Sequence, residues 1–500
     1  MTLDLDPRGG GAAVAVPSDD PHHARRWLIL GVLGLAQLMV VLDATIVNIA
    51  LPTAQQDLGF SDGDRQWVVT AYALAFGSLL LLGGRIADVF GRKRTFLIGL
   101  VGFAAASALG GLAGSFEVLV AARALQGVFG ALLSPAALSL LTTTFTRPDE
   151  RGKAFGVFGA IAGAGGAVGL LLGGLLTEYL SWRWCLYVNV AFVVLAAIGA
   201  AMLLHHDQIT TRHRLDWPGI VTASAGLFAL VYGFSNAETY AWGDPMSWGF
   251  LAAGAVLLAL FVWLQTRVAH PLLPLRVVLD RNRGGSYLAL FVSGAGMFGV
   301  FLFLTYYAQA TLHYSPVETG LAFLPMVGAL MVAATVSSSL LIPRVGPKPL
   351  VAAGMAISAA GMVWLTWLDL DSTYTGHVLP PLLVLGIGFG LIMATAMSVG
   401  TLGIHADDAG VASATVNTSQ QIGGSIGTAL LNTLAASAAA DYLATRQPSP
   451  EAIAQSMLES YHTAFWWSAA FFAVGAIVCG LLLPAGVPEQ DPNAEPVLVH

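Results

Sequence analysis

Apolar residues fill this chain in long blocks, and polar residues are confined to short segments between them. Fourteen blocks approach the roughly 20 residues that a helix needs to cross a bilayer. They predict helices over 27–51, 65–84, 93–113, 117–141, 152–176, 183–204, 217–236, 247–268, 283–309, 317–343, 348–367, 378–399, 409–437 and 460–484. The pattern therefore predicts an all-α polytopic membrane protein, and the even number of spans puts both termini on the same side.

The clearest break between blocks is the segment 84–94, GRIADVFGRKR. It carries four basic residues and one acid, which cannot enter hydrocarbon without a large energetic cost. It predicts a tight charged loop between the second and third spans.

Composition supports the same class. Hydrophobic residues make up 56% of the chain and charged residues only 10%, against about 25% charged in soluble domains. The net charge of −7 gives no indication of a nucleic-acid partner. Cys185 and Cys479 lie far apart in apolar runs, so we expect buried thiols with no disulfide framework and no metal site.

The distribution of basic residues orients the chain. With the N-terminus inside the cell, all of the 22 Lys and Arg lie in inner segments except Arg65, Arg123, Arg183 and Arg446. Inner loops of membrane proteins carry this excess of Lys and Arg. We expect a multi-pass protein of the inner or plasma membrane with both termini cytoplasmic.

A weak internal repeat suggests how the spans are grouped. The loop at 342–348, IPRVGPK, repeats the basic–glycine–basic order of the loop after the second span. Aligning the two loops gives two six-helix halves, an arrangement typical of transporters. The predicted divisions are a disordered cytoplasmic N-terminus (1–26), an N-terminal bundle (27–204), a two-helix insert with its cytoplasmic loops (205–282), a C-terminal bundle (283–484) and a cytoplasmic tail (485–500).

Four stretches together resemble the fourteen-span drug:proton antiporter branch of the major facilitator superfamily. They are LDATIVNIALP at 42–52, the loop at 84–94, RALQG at 123–127, and WRW at 182–184 with Asn189. The resemblance covers nearly all of the chain from Trp27 to about Pro484. It implies proton-coupled efflux of small amphipathic compounds such as drugs, dyes or secondary metabolites by alternating access.

The chain departs from the family pattern in its fifth span. Where antiporters commonly have Gly-Pro-x-x-Gly-Gly, this chain has GLLLGG at 169–174. A proton-coupled symporter or facilitator that imports a small solute is therefore kept as an alternative. A membrane sensor with a transporter fold is disfavoured because no sizeable soluble domain is present.

Two charges lie clearly inside predicted spans, away from the span ends, Asp43 and Arg123. Counted at 1.5 Å per residue from the outer ends of their helices, they lie at similar depths. Burial disfavours a carboxylate and a nearby guanidinium favours it. We expect Asp43 to bind and release the coupling proton with the help of Arg123, and a static ion pair joining two helices is the alternative.

The charged loop has two interpretations. The resemblance implies that Gly84, Asp88, Gly91, Arg92 and Lys93 form a conformational latch between the halves. The alternative is that the basic residues only anchor the loop on the inner side. Asp88 favours the latch, because a topological anchor does not require an acid.

Glycines recur along the fifth span at Gly165, Gly169 and Gly173, with Gly174 beside the last. Such a stripe allows two helices to approach closely. We expect a helix-packing surface, and a sliding contact between the halves is the alternative.

Polar, aromatic and methionine side chains in the spans are candidates for the substrate pocket, and each could equally pack between helices. They are Met39, Gln126, Phe298, Tyr306, Tyr307, Gln309, Asn417 and Gln421. The expected partners are a small amphipathic substrate, protons and membrane lipids, without nucleic acid. No phosphate-binding loop motif is present, so we expect a proton gradient rather than ATP to supply the energy, no cofactor, no enzymatic activity, and a monomer as the functional unit.

Overall fold

The computed structural model describes residues 25–60, 62–145, 147–204, 215–239, 244–269, 271–404, 408–447 and 449–487, and within these ranges it contains helices and no strands. Sixteen α-helices are found there. In chain order they are α1 Arg26–Leu58, α2 Asp62–Phe90, α3 Arg92–Gly111, α4 Phe116–Thr144, α5 Pro148–Tyr179, α6 Trp184–Leu203, α7 Trp217–Thr239, α8 Pro245–Gln265, α9 Leu275–Leu279, α10 Arg281–Ala310, α11 Pro316–Val336, α12 Ile342–Val345, α13 Pro347–Leu365, α14 Leu379–Gly400, α15 Ala409–Ala444 and α16 Pro450–Leu482. Two π-helical segments, Ser337–Leu341 and Tyr374–Val378, join α11 to α12 and precede α14.

The all-α polytopic fold is confirmed. Among the described residues, thirteen helices are long and apolar enough to cross a membrane, and α5 contributes a shorter apolar stretch, Val168–Tyr179. Helices α11 and α12 and the π-helical segment between them count as one of these spans, Val317–Val345. The expected fourteen spans are consistent with this arrangement.

Several helices extend well beyond their predicted ends, and α1 and α16 are two examples. Helix α1 continues past Leu51, through Pro52, until Gly59 ends it with φ 71°. Helix α16 begins at Pro450, where Ser449 caps it by accepting a hydrogen bond from the backbone N–H of Ala452. Hydropathy marks only the apolar part of a helix, whereas backbone hydrogen bonding continues into polar sequence, so the predicted bounds were too short.

The helices pack into two bundles and an insert. Helices α1–α6 pack together, helices α10–α16 pack together, and α7 and α8 form a hairpin against α2 and α15. The bundles meet where α5 packs on α11 and α14, and where α2 and α4 pack on α15. We call the end that carries the α2–α3 and α12–α13 loops the basic end.

The two loops of the proposed repeat share a backbone feature. Gly91, between α2 and α3, has φ 92°, and Gly346, between α12 and α13, has φ 76°. Residues with a Cβ rarely adopt such a conformation. A glycine between basic residues in each loop thus makes the same kind of tight turn.

The predicted disordered N-terminus lies almost entirely outside the described residues, as does most of the predicted tail.

Candidate functional site

Asp43 and Arg123 meet inside the N-terminal bundle. Helices α1 and α4 are neighbours, and Arg123 Nη1 lies 2.6 Å from Asp43 Oδ2. The exposed fractions are 0% for Asp43 and 1% for Arg123, so solvent screens the pair little. Breaking a buried pair by removing one partner typically costs about 3–5 kcal/mol. Each charge is therefore tolerated in the bundle because the other is present.

Two amides complete the surroundings of the carboxylate. Gln126 Nε2 donates to Asp43 Oδ1 at 2.9 Å, and Asn189 Nδ2 donates to the same oxygen at 2.6 Å. Gln126 Nε2 also donates to the Ser107 hydroxyl at 2.7 Å. All four side chains, from α1, α3, α4 and α6, are completely buried. We call Asp43, Arg123, Gln126, Asn189 and Ser107 the carboxylate cluster.

Helix α2 supplies further contacts to the guanidinium. Arg123 Nε donates to the Val68 carbonyl at 3.1 Å, and the guanidinium lies 4.5 Å from the centre of the Tyr72 ring. A cation over an aromatic face contributes about 0.5–2 kcal/mol, more when both groups are desolvated. These contacts fix the direction in which Arg123 points.

One atom of the cluster has no partner. Asn189 Oδ1 is buried and makes no hydrogen bond. An unsatisfied buried acceptor costs about 1–3 kcal/mol. The carboxylate of Asp43 is thus surrounded by hydrogen-bond donors. One of these donors, the Asn189 amide, also carries an acceptor that is not used.

Asp88 lies in the last turn of α2 and contacts the other half. The predicted charged loop at 84–94 is helical except at Gly91, since α2 continues to Phe90 and α3 begins at Arg92. Its Oδ1 accepts from the backbone N–H of Gly410 at 2.9 Å, and its Oδ2 from that of Val411 at 3.2 Å. These N–H groups belong to the first turn of α15, which has no intrahelical acceptors for them. Arg92 lies 3.8 Å from Asp88.

The other residues of the charged loop have different partners. A Cβ added to Gly84 would lie 2.4 Å from the Gly410 carbonyl oxygen, so the glycine allows the close approach of α2 and α15. Lys93 makes a contact that the latch interpretation did not predict. Its Nζ donates to the carbonyls of Leu204 and Ala201 at the end of α6, which lies within its own half.

A second contact between the halves lies at the basic end of α5. A Cβ on Gly152 would lie 2.3 Å from the Ser338 carbonyl oxygen, in the π-helical segment that follows α11. Arg151 Nη2 donates to the carbonyl of Thr401 at 2.8 Å and to its hydroxyl at 3.0 Å. Together with the contacts of Asp88, these contacts join the two halves at the basic end.

The glycine stripe of α5 faces α1. Added Cβ atoms would lie 2.6 Å from Val41 at Gly165, 2.0 Å from Thr45 at Gly169 and 2.9 Å from Ile46 at Gly173. The stripe packs within the N-terminal half, beside the helix that carries Asp43. Gly174 is buried next to it.

The pocket candidates separate into several places. Gln126 belongs to the carboxylate cluster, Met39 is buried in the core, and Tyr306 is 48% exposed. Tyr307 is buried within the C-terminal half and donates to the Asp369 carbonyl at 2.7 Å. Gln309 is half-buried near the end of α10. The side chain of Phe298 lies outside the described part of the chain.

Asn417 lies in a polar contact between the halves. The Ser134 hydroxyl of α4 donates to Asn417 Oδ1 at 3.1 Å and lies 3.5 Å from Gln37 Oε1 of α1. Gln421, one turn further along α15, faces Gly77 of α2. We call Gln37, Ser134 and Asn417 the polar seam. Both halves line this seam, and Asn417 is its member from the candidate set.

The sequence did not assign Ser107, Tyr72 or Ser134 to any site. Each lies within an apolar span that carries other hydroxyl residues, and nothing in the sequence distinguishes it from them. Only the packing of the helices reveals their partners. Of the described residues, no group of three or more His, Cys, Asp or Glu could hold a metal ion.

The structure has three features of a secondary transporter. They are a pair of buried opposite charges deep in one bundle, a second bundle, and a polar seam between the two. The sequence profile of the Major Facilitator Superfamily matches residues 33–428. The chain belongs to this superfamily. The puromycin resistance protein pur8 of Streptomyces alboniger is 48% identical over 481 residues, which cover 96% of this chain and 95% of that protein. The cephamycin export protein CmcT of Amycolatopsis lactamdurans is 41% identical, over 80% of this chain and 83% of that protein.

A solved structure shows the same major facilitator fold. The crystal structure of the human organic anion transporter MFSD10 covers 91% of this chain and 99% of its own, with a TM-score of 0.61. The two sequences are 14% identical, so the likeness concerns the fold alone.

Proposed function

We propose that this protein exports small amphipathic compounds, of the antibiotic or secondary-metabolite class, across the cell membrane in exchange for protons. The observation that carries the proposal is the 48% identity to a puromycin resistance protein over nearly the full length of both chains. A cephamycin export protein among the relatives favours export over import.

The carboxylate cluster supplies the proton site in this proposal. Ionised Asp43 is stabilised by Arg123 and by two amide donors. Protonation removes the negative charge, weakens the pairing with Arg123 and loosens the contact between α1 and α4. Since the cluster is closed to solvent here, proton exchange takes place in another conformation of the transport cycle.

Alternating access in this proposal uses the contacts between the halves. The contacts of Asp88 and Arg151 hold the basic end closed, and substrate enters or leaves at the opposite end in that state. Breaking them opens the basic end to the cytoplasm, where both chain termini are proposed to lie. The polar seam, including Asn417, gives the substrate hydrogen-bonding partners between the halves.

The single deep carboxylate bears on the substrate class. Asp43 is a completely buried acid within a span, and it is already paired with Arg123. One proton exchanged at one acid suits a neutral or monocationic compound. The proposed energy source is the proton gradient without ATP, and the proposed functional unit is a monomer.

Transport in inside-out vesicles tests the proposal, with puromycin as the first probe. Acidifying the vesicle interior should drive uptake of puromycin, a protonophore should stop it, and cells expressing the protein should tolerate more of the compound. Asp43→Asn, expressed to the same level, should remove the gradient-driven component. Uptake that does not depend on the proton gradient would contradict proton coupling. Loss of compound from preloaded vesicles under this gradient would indicate import into the cell.

A further inference from the structure

The two amides that touch Asp43 differ in how they are held. Gln126 uses both ends of its amide, because Nε2 donates to Asp43 and Ser107 while Oε1 accepts from Arg123 Nη1 at 2.8 Å. An arginine has only donors. Turning the Gln126 amide over would place its NH₂ against the guanidinium, so its orientation is fixed.

Asn189 has no such restraint. Its Nδ2 donates to Asp43 Oδ1, and its Oδ1 is the buried acceptor without a partner. Turning this amide over breaks the hydrogen bonds from Nδ2 to Asp43 Oδ1 and to the Ser107 hydroxyl, and leaves no acceptor facing a cation. The reversed oxygen would take the present place of Nδ2, 2.6 Å from Asp43 Oδ1 and 3.4 Å from the Ser107 hydroxyl.

We propose that Asn189 is the positioning residue for the coupling proton, and that its amide reverses when Asp43 is protonated. In the ionised state Nδ2 donates to the carboxylate. In the protonated state Oδ1 accepts the new O–H of Asp43, and Ser107 offers a second donor. This inference depends on the proposed function, because it requires Asp43 to titrate during transport.

In this proposal a single atom, Asp43 Oδ1, gains and loses the proton. A proton from solvent forms an O–H bond at Asp43 Oδ1 in a conformation in which the cluster is open to water. The same bond breaks when the proton is released on the other side. No other group changes protonation, and Asn189 exchanges only the role of donor for that of acceptor.

The other groups that face Asp43 support the assignment of Asn189 as the acceptor for the proton on Asp43. The charged or titratable side chains near it are Arg123 from α4, Tyr72 from α2 and Cys185 from α6. Arg123 cannot accept a hydrogen bond. Helix α5 faces this part of α1 with Gly165 and Gly169, which have no side-chain acceptor. Among the described side chains that hydrogen-bond to Asp43, Asn189 is thus the one with a buried acceptor that no other group uses.

Infrared difference spectra of the full-length protein, recorded between high and low pH, test the inference. The wild type should show a carboxylic C=O band of protonated Asp43 at the frequency of a hydrogen-bonded group, and Asp43→Asn should abolish it. Asn189→Leu, nearly equal in volume but without polar atoms, should move the band to the higher frequency of a free carboxylic acid. Asn189→Ser, whose hydroxyl can donate and accept, should restore it in part.

A second measurement uses the wild-type protein, so its result does not depend on whether a variant at the site folds correctly. In wild-type protein carrying ¹³C at the asparagine side-chain carbonyl, the Asn189 band should shift to lower frequency as Asp43 is protonated. Ser107→Ala is a comparison variant: it removes the second donor proposed for Asn189 Oδ1 and leaves Asn189 in contact with Asp43. It should change the Asp43 band much less than Asn189→Leu does.

The outcomes separate the two proposals. If no band depends on Asp43, the carboxyl does not titrate, and proton coupling at this residue fails together with the inference. If the band appears but keeps its frequency in Asn189→Leu, and the labelled carbonyl does not shift, the amide reversal is wrong while proton coupling stands.

Discussion

Asp88 and Gly410 join the two halves of the transporter through a hydrogen bond of 2.9 Å between residues 322 positions apart in sequence. The donor is an N–H in the first turn of α15, which the helix itself cannot satisfy. A carboxylate is favourable there, because the N-terminus of a helix carries partial positive charge. The acid in a loop of basic residues is therefore explained by a helix of the other half.

Asp88→Asn should shift the protein toward conformations that are open at the basic end. A hydrogen bond to a charged group contributes about 1.5–3 kcal/mol, so losing the charge should change the equilibrium about tenfold or more. Spin labels at Arg94 and Arg344, on opposite halves of the basic end, report the distance distribution. Asp371→Asn, an exposed acid outside these contacts, is the control, and an unchanged distribution in Asp88→Asn would contradict the latch.

Gly84→Ala should weaken the same closed state by a steric route. The new Cβ would lie 2.4 Å from the Gly410 carbonyl oxygen, so α2 and α15 must separate. Gly31→Ala in α1 has open space around the added carbon and should be tolerated. Transport rates and unfolding temperatures in detergent compare the two variants. Equal behaviour would show that this close approach does not matter.

Arg123→Leu should be strongly destabilising, by about 3–5 kcal/mol, because it leaves a buried carboxylate unpaired. Adding Asp43→Asn should recover part of the lost stability without restoring proton-driven transport. Thermal unfolding and vesicle uptake on the single and double variants measure the two effects separately. Full activity in the double variant would show that the pair serves packing alone.

The contact between Asp57 and the α5–α6 loop should depend on pH. Hydrogen bonds from Arg183 and Trp182 lower the pKa of Asp57 below its usual value. A group with a depressed pKa in the folded state stabilises the fold above its unfolded pKa, and this stabilisation disappears as pH falls through the folded value. Unfolding temperatures of wild type and Asp57→Asn should therefore differ at neutral pH and converge in strong acid. A constant difference across the range would exclude this titration.

Much of the architecture followed from the sequence. The apolar blocks marked the spans because hydrocarbon tolerates only helices with apolar side chains. The similar depths of Asp43 and Arg123 made a contact between them geometrically feasible. The acid among the basic residues at 84–94 indicated a role other than orienting the chain in the membrane. These properties are local, so periodicity and chain length were enough to predict them.

Other relationships required the packed structure. Lys93 looks equivalent to Arg92 in sequence, yet it donates to the end of α6 in its own half. Tyr307 looks like a pocket residue, yet it packs inside one bundle. The direction in which a side chain points around a helix depends on neighbours that are distant in sequence.

The sequence by itself determined that this chain crosses the membrane many times and which charges need an explanation inside it, and it predicts the orientation. The cost of placing polar groups in hydrocarbon decides these matters residue by residue. Only the tertiary structure decided that Asp43 is surrounded by Arg123, Gln126 and Asn189, and that one acceptor is left without a donor. Hydrogen bonds between helices depend on distances of a few tenths of an ångström, which no linear pattern specifies.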